Sequence, residues 1–162
     1  MQEDTQVLID RAAQLVEAAK RAGADASDAV VVRQASTSVQ VRNGKVEGTD
    51  ASEADNMSLR VFFGNKVASV SAAASSDANI LAERAISMAK VSPDDAFNGL
   101  ADANLLAKEI ADLDLYDETR ITAEQLTDDA LAAEAAALDV NGVTKSSGAS
   151  ASSGVGGLVL AT

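Results

Sequence analysis

Hydrophobic positions change period several times along the chain. Between residues 5 and 22, Leu8, Ala12, Leu15, Val16 and Ala19 recur at helical spacing. This predicts an amphipathic helix with Asp4 or Thr5 as its cap and Gly23 as its stop. From Ala29 the pattern becomes that of a strand. Ala29-Val30-Val31-Val32 reads as a buried run, after which Val39 and Val41 alternate with Ser38, Gln40 and Arg42. Asn43-Gly44 then supplies the positive φ angles of a two-residue hairpin, so Gly48 and its neighbours should return antiparallel. A second hairpin is signalled by Met57, Leu59, Val61 and Phe63 on one face, the Gly64-Asn65 turn, and a return through residues 66–71.

Ser75 or Ser76 is expected to open a second helix with Ile80, Leu81, Ala85, Met88 and Ala89 on its apolar side. It should end before Ser92-Pro93, because the residue preceding a proline leaves the helical region. Residues 93–120 read as an acidic connector with one helical turn near residues 102–108. A third helix should start at Thr122, where Thr122-Ala123-Glu124-Gln125 fits a capping box, and stop before Asn141-Gly142. Residues 146–154 have the composition of a flexible Ser/Gly linker, while Leu158-Val159-Leu160 reads as a short strand. The fold class expected is α+β: a mostly antiparallel sheet of about four to five strands within residues 28–73. Helices at 5–22, 76–90 and 122–138 would pack on it. The expected division is a domain over residues 1–143, with residues 144–162 beginning strands that lead into a second domain.

Composition sharpens this picture. The 162 residues suit one domain by length, and 47% of them are hydrophobic. Only Phe62, Phe63, Phe97 and Tyr116 are aromatic, so the core must be aliphatic and rich in Ala. There is no His and no Cys. That excludes an imidazole base, a Ser-His-Asp triad, an HExxH zinc site, a thiol nucleophile and a disulfide. No stretch is long and apolar enough to span a membrane, and the acidic start lacks the basic and apolar regions of a signal peptide. A cytoplasmic location is therefore expected.

The net charge of -12 is unevenly distributed. Residues 94–139 hold 13 acids against Lys108 and Arg120 alone. No basic cluster exists to release counterions from a phosphate backbone, so nucleic acid is not an expected partner. The acidic stretch reads most simply as a solvated helix face and loop, with attraction to a basic partner surface as the functional alternative.

Candidate chemistry is sparse. Asp112, Asp114 and Asp117 suggest a calcium loop, but Tyr116 takes the third ligand position and no Gly follows, so a solvated acidic turn is the simpler reading. Ser69, Ser71, Ser75 and Ser76 lie near Lys66, yet Ser69 and Ser71 have no Lys three residues on. They read as strand and cap positions rather than a Ser-Lys nucleophile pair. The glycine turns at Gly44, at Gly64 and in Gly154-Val155-Gly156-Gly157 lack the spacing and the following helix of a phosphate loop. No catalytic, cofactor-binding or metal-ligating residue is assigned.

The order of several segments resembles a known family. They are Ala29-Val30-Val31-Val32, residues 38–47, Leu59-Arg60-Val61-Phe62-Phe63-Gly64, Ala68-Ser69-Val70-Ser71, Gly99-Leu100-Ala101-Asp102, residues 112–117 and Ser147-Gly148-Ala149-Ser150. Together they resemble the N-terminal domain of the TldD/PmbA proteins, and the later ones resemble the PmbA (TldE) branch. The resemblance implies a cytosolic protein of a family named for modulation of DNA gyrase and for peptide-antibiotic maturation, and classed with zinc metallopeptidases. It implies that the TldD-type subunit carries the zinc, and that this chain is a non-catalytic domain with no cofactor of its own. A TldD-like subunit or a second copy in a homodimer would be its partner, and a peptide the substrate. Any effect on gyrase would run through proteolysis rather than DNA contact. The alternative is a stand-alone acidic adaptor for basic proteins, which should end in a disordered Ser/Gly tail.

Overall fold

The computed structural model describes residues 2–117 and 119–162, with side chains from Thr5 onward. The element order is α1 (Gln2–Arg21), β1 (Ala26–Arg42), β2 (Lys45–Phe63), β3 (Lys66–Ala73), α2 (Ala78–Val91), a short 3-10 turn at Ala103–Leu105, α3 (Ala123–Leu138) and β4 (Ala149–Ala161). The four strands form one antiparallel sheet in the order β3-β2-β1-β4, so the fold is α+β as expected. Two compact units divide the chain. The first comprises the residues up to Arg33, Ala54–Ile110 and Gly156–Thr162; the second comprises Gln34–Glu53 and Ala111–Val155.

In the first unit α1 buries Leu8, Ala12, Leu15 and Ala19, the stripe that its spacing predicts. The helix already begins at Gln2, so Thr5 lies inside it rather than at its cap, and the Asp4 side chain lies outside the described residues. Its end is a Schellman arrangement. The N–H of Ala24 donates to Ala19 O at 3.0 Å and that of Gly23 to Lys20 O at 3.1 Å, with Gly23 at φ 95. Small residues let α1 rest on α2 and α2 on β3. The expected cap of α2 is displaced by one or two residues: Asp77, not Ser75 or Ser76, accepts the N–H groups of Asn79 at 2.7 Å and Ile80 at 3.2 Å. The buried face is also rotated from the expected one. Ala82 and Ile86 lie inside with Leu81, Ala85 and Ala89, whereas Ile80 and Met88 are exposed.

The sheet of this unit alternates. Ala29 and Val31 are fully buried while Val30 and Val32 are half-buried, so the apolar run is a one-sided strand rather than one enclosed on both faces. Across the β2–β3 ladder Met57 faces Ala72, Leu59 faces Val70 and Val61 faces Ala68, which puts the predicted apolar row in the core. Phe63 departs from that row. It sits at the exposed turn with Lys90 Nζ 5.4 Å from its ring, while Phe62 is buried with the Arg60 guanidinium 5.2 Å away. Gly64, at φ 57, takes the first position of that turn, and its N–H donates to the Asp25 carboxylate at 2.7 Å.

The second unit has a smaller core of Val39, Val41, Leu126 and Ala130, with Leu131, Ala149 and Ala151 against it. The β1–β2 turn is the expected one, with φ 52 at Asn43 and 69 at Gly44, both left-handed as a type I′ hairpin needs. The capping box of α3 is present: Thr122 Oγ1 accepts from Gln125 N at 3.2 Å, and Gln125 Oε1 accepts from Thr122 N at 2.8 Å. Replacing Thr122 with Ala should cost about 1 kcal/mol, read as a lowered thermal midpoint, because the Gln125 N–H loses its side-chain acceptor while the bond from the residue-122 N–H to Gln125 is kept.

The Ser/Gly stretch is not a linker. Most of it lies in β4. Gly148 lies against Val41 and Gly154 against Ala35 and Ser36, so β4 runs opposite to β1. Composition misleads here because small residues also suit a strand whose backbone passes close to its neighbour.

Candidate functional site

The residues singled out for metal binding do not converge. Asp112 and Asp117 each accept a backbone N–H two residues on, from Asp114 at 3.1 Å and from Thr119 at 2.8 Å. The hydrogen bonds from Thr119 hold the Asp117 carboxyl below its usual range. Each carboxylate thus closes its own turn. Among the described residues no three His, Cys, Asp or Glu side chains come together as a metal site requires. The serines fare similarly: Ser58 and Ser71 share a hydrogen bond of 3.2 Å across the sheet, and Lys66 Nζ donates to the carbonyl of Lys90 at 3.1 Å. One Ser-x-x-Lys spacing escaped the sequence reading, at Ser87 and Lys90 on α2. Ser87 Oγ donates to Glu83 O at 2.8 Å, an ordinary back-bond within a helix.

One concave feature of the first unit is a cleft of about 400 Å³. Val7, Leu8 and Val31 supply an apolar wall, and Arg11, Arg33 and Asp55 stand at its rim. Arg33 forks onto Asp55, with Nε 2.9 Å from one carboxylate oxygen and an Nη 2.9 Å from the other. That guanidinium holds the Asp55 carboxyl below the usual carboxylate range. A carboxylate so paired stays ionised near neutrality and is a poor proton donor. Arg11 donates to Gln14 Oε1 at 3.1 Å and to the carbonyl of Ser76, while its Nε is buried without a hydrogen-bond partner. The cleft can take up a small apolar group beside a charged rim, with no nucleophile and base paired in it.

The second unit contains a polar node that the sequence reading missed. Glu134 on α3 is only 2% exposed. One carboxylate oxygen accepts the N–H of Asn43 at 3.0 Å and the other that of Gly44 at 2.9 Å, which ties the hairpin tip to the helix. The Gly44 bond, then those from Asn43 and Ser146 and the charge of Arg42, outweigh desolvation and lower the Glu134 pKa. The Ser146 hydroxyl in turn accepts the N–H of Gly148 at 2.9 Å. A signal was available: Glu134 follows Leu126 and Ala130 at successive four-residue steps, on the buried stripe of the helix. The acidic third is therefore not wholly a solvated face.

Fold and sites together define an α+β domain whose buried charges fasten its own turns and strands. Comparisons with known proteins make this more specific. Residues 27–89 match the family profile described as PmbA/TldA metallopeptidase domain 1. A Haemophilus influenzae protein named "Metalloprotease PmbA homolog" is 33% identical over 144 residues, covering 87% of this chain and 32% of that protein. The fold is similar to a Bacteroides thetaiotaomicron structure described as a putative modulator of DNA gyrase, with a TM-score of 0.84 and 19% identity over 94% of this chain and 36% of that one. It is also similar to TldE from Thermococcus kodakarensis, with a TM-score of 0.67 and 14% identity over 93% of this chain and 34% of that one. The chain thus spans about a third of the length of these relatives. It belongs to the PmbA/TldD family.

Proposed function

We propose that this chain is the N-terminal domain of a PmbA (TldE)-type protein, the non-catalytic partner of a TldD-type metallopeptidase that acts on peptides in proteolysis or peptide maturation. The observation that carries the reading is the 33% identity to the PmbA homologue over 87% of the chain. The zinc that the family name implies does not fit the residues present. A borderline-soft ion wants imidazole or thiolate, this sequence has neither, and the carboxylates are spread over separate turns. On this reading zinc and the reacting groups lie in the TldD-like subunit. The domain's contribution is to help enclose the substrate, for which the cleft beside Arg33 and Asp55 and the sheet edges β3 and β4 are the available surfaces. The adaptor alternative is weakened because its expected irregular Ser/Gly tail is instead part of β4.

Two measurements test the proposal. The purified chain, supplied with zinc, should leave an unstructured peptide such as casein fragments intact. Hydrolysis that a chelator abolishes would overturn the non-catalytic reading. The longer native protein should co-purify with a TldD-like subunit from the same source, and its failure to associate would favour the adaptor. Among the described residues no helix is long and apolar enough to cross a membrane.

A further inference from the structure

Within the first unit, residues 94–110 leave the end of α2 and return to no regular element except the Ala103–Leu105 turn. The backbone is nonetheless held. Asp95 N and Asn98 Nδ2 both donate to Asn65 O, at 2.9 and 3.4 Å, which ties the start of the segment to the β2–β3 turn. Asp95 accepts the N–H of Phe97 at 2.9 Å and Asp102 that of Asn104 at 3.1 Å, so carboxylates close successive turns. Along this segment the large apolar side chains point into water. Phe97 is 97% exposed, Ile110 91%, Leu105 81% and Leu106 57%.

A single exposed leucine is ordinary, but several large apolar side chains in one short segment are the pattern of an interaction surface. The charges between them give the partner's sign: Asp94, Asp95, Asp102 and Glu109 stand against Lys108 alone. A second copy of this chain is a poor match, because its net charge is -12 and its sequence contains no basic cluster. We infer that residues 97–110 are a docking strip for a different protein, one whose groove offers apolar pockets with Lys or Arg on their rim. Resting on the pairing proposed above, that protein is the TldD-like subunit. Phe97, Leu105, Leu106 and Ile110 are the anchors, and the acids steer the encounter and fix its orientation.

The test titrates the purified TldD-like subunit of the same source with the native protein and with a variant carrying Phe97→Ser, Leu105→Ser, Leu106→Ser and Ile110→Ser. The variant should keep its circular dichroism and thermal midpoint, since all four side chains are exposed, and should bind on the order of tenfold more weakly or worse. Raising the salt concentration should weaken the wild-type complex. Undiminished binding by the variant overturns the docking strip and leaves the pairing intact; no binding by the wild type overturns both. A photo-crosslinking benzoylphenylalanine at position 97 gives a second reading that does not depend on the fourfold variant. Crosslinks to the TldD-like subunit are expected, whereas crosslinks to a second copy or within the same polypeptide overturn the inference.

Discussion

Glu134→Gln should loosen the β1–β2 hairpin and remove a step in the acid unfolding of this protein. The wild-type carboxylate presents one acceptor oxygen to Asn43 N and the other to Gly44 N. A glutamine keeps the shape but turns one of those acceptors into an N–H donor, which then faces another donor. One of the two backbone groups is left unpaired, so hydrogen exchange at Asn43 and Gly44 should accelerate by about tenfold, the loss of one net hydrogen bond. The pH dependence has a definite sign. The folded state holds the Glu134 pKa below its ordinary value of 4.5, so it favours the ionised form. That stabilisation is complete above the unfolded-state value and is lost as pH falls through the lower folded value. The stability difference between wild type and Glu134→Gln should therefore be largest near neutrality and shrink below pH 4.5. Denaturant melts at neutral and acid pH check it. A difference that grows on acidification would contradict the assigned role.

That node also shows where the sequence was readable. Asn43-Gly44, the Thr122–Gln125 box and the Gly23 stop act through residues within a turn of one another, so local chemistry decides them and each stands where the sequence puts it. The second helix is harder, because Ile80, Leu81, Ala85, Met88 and Ala89 form one apolar stripe at helical spacing and Leu81, Ala82, Ala85, Ile86 and Ala89 form another that overlaps it. Periodicity alone then cannot select the buried face, and contact with α1 and β3 does so. Its cap was misplaced because Ser75, Ser76 and Asp77 are all competent caps and only the backbone path chooses among them. Glu134 was missed for the opposite reason. A carboxylate in an acidic stretch looks solvated, and its partners, two backbone N–H groups some ninety residues away, leave no trace in the sequence. The family resemblance was legible because it rests on the order of many weak segments rather than on one site.

The glycines of the tail should respond unequally to alanine, in an order set by what each new methyl meets. At Gly148 the backbone has φ 111, and a Cβ would fall 2.5 Å from the carbonyl oxygen of Val41. Neither atom belongs to a side chain that can turn away. Left-handed strain and the clash together should make Gly148→Ala cost about 3 kcal/mol or more. Displacing this residue would also disturb the Gly148 N–H bond to Ser146, and through Ser146 the Glu134 carboxylate. At Gly154 the φ is unexceptional, and the Cβ would meet Ala35 O and Ser36 Cβ, both at 3.3 Å. A shift of a few tenths of an ångström relieves that contact, so Gly154→Ala should cost about 1 kcal/mol. At Gly157 the nearest atom is Leu8 Cδ1 at 3.2 Å, the far end of a flexible side chain, and alanine there should be nearly neutral. Thermal melts of the three single variants give the ranking directly. If composition alone explained these glycines, as in a linker, all three substitutions would be silent. A steep loss at Gly148 beside near-neutrality at Gly157 would show that the close approach of β4 to β1 is what requires glycine there.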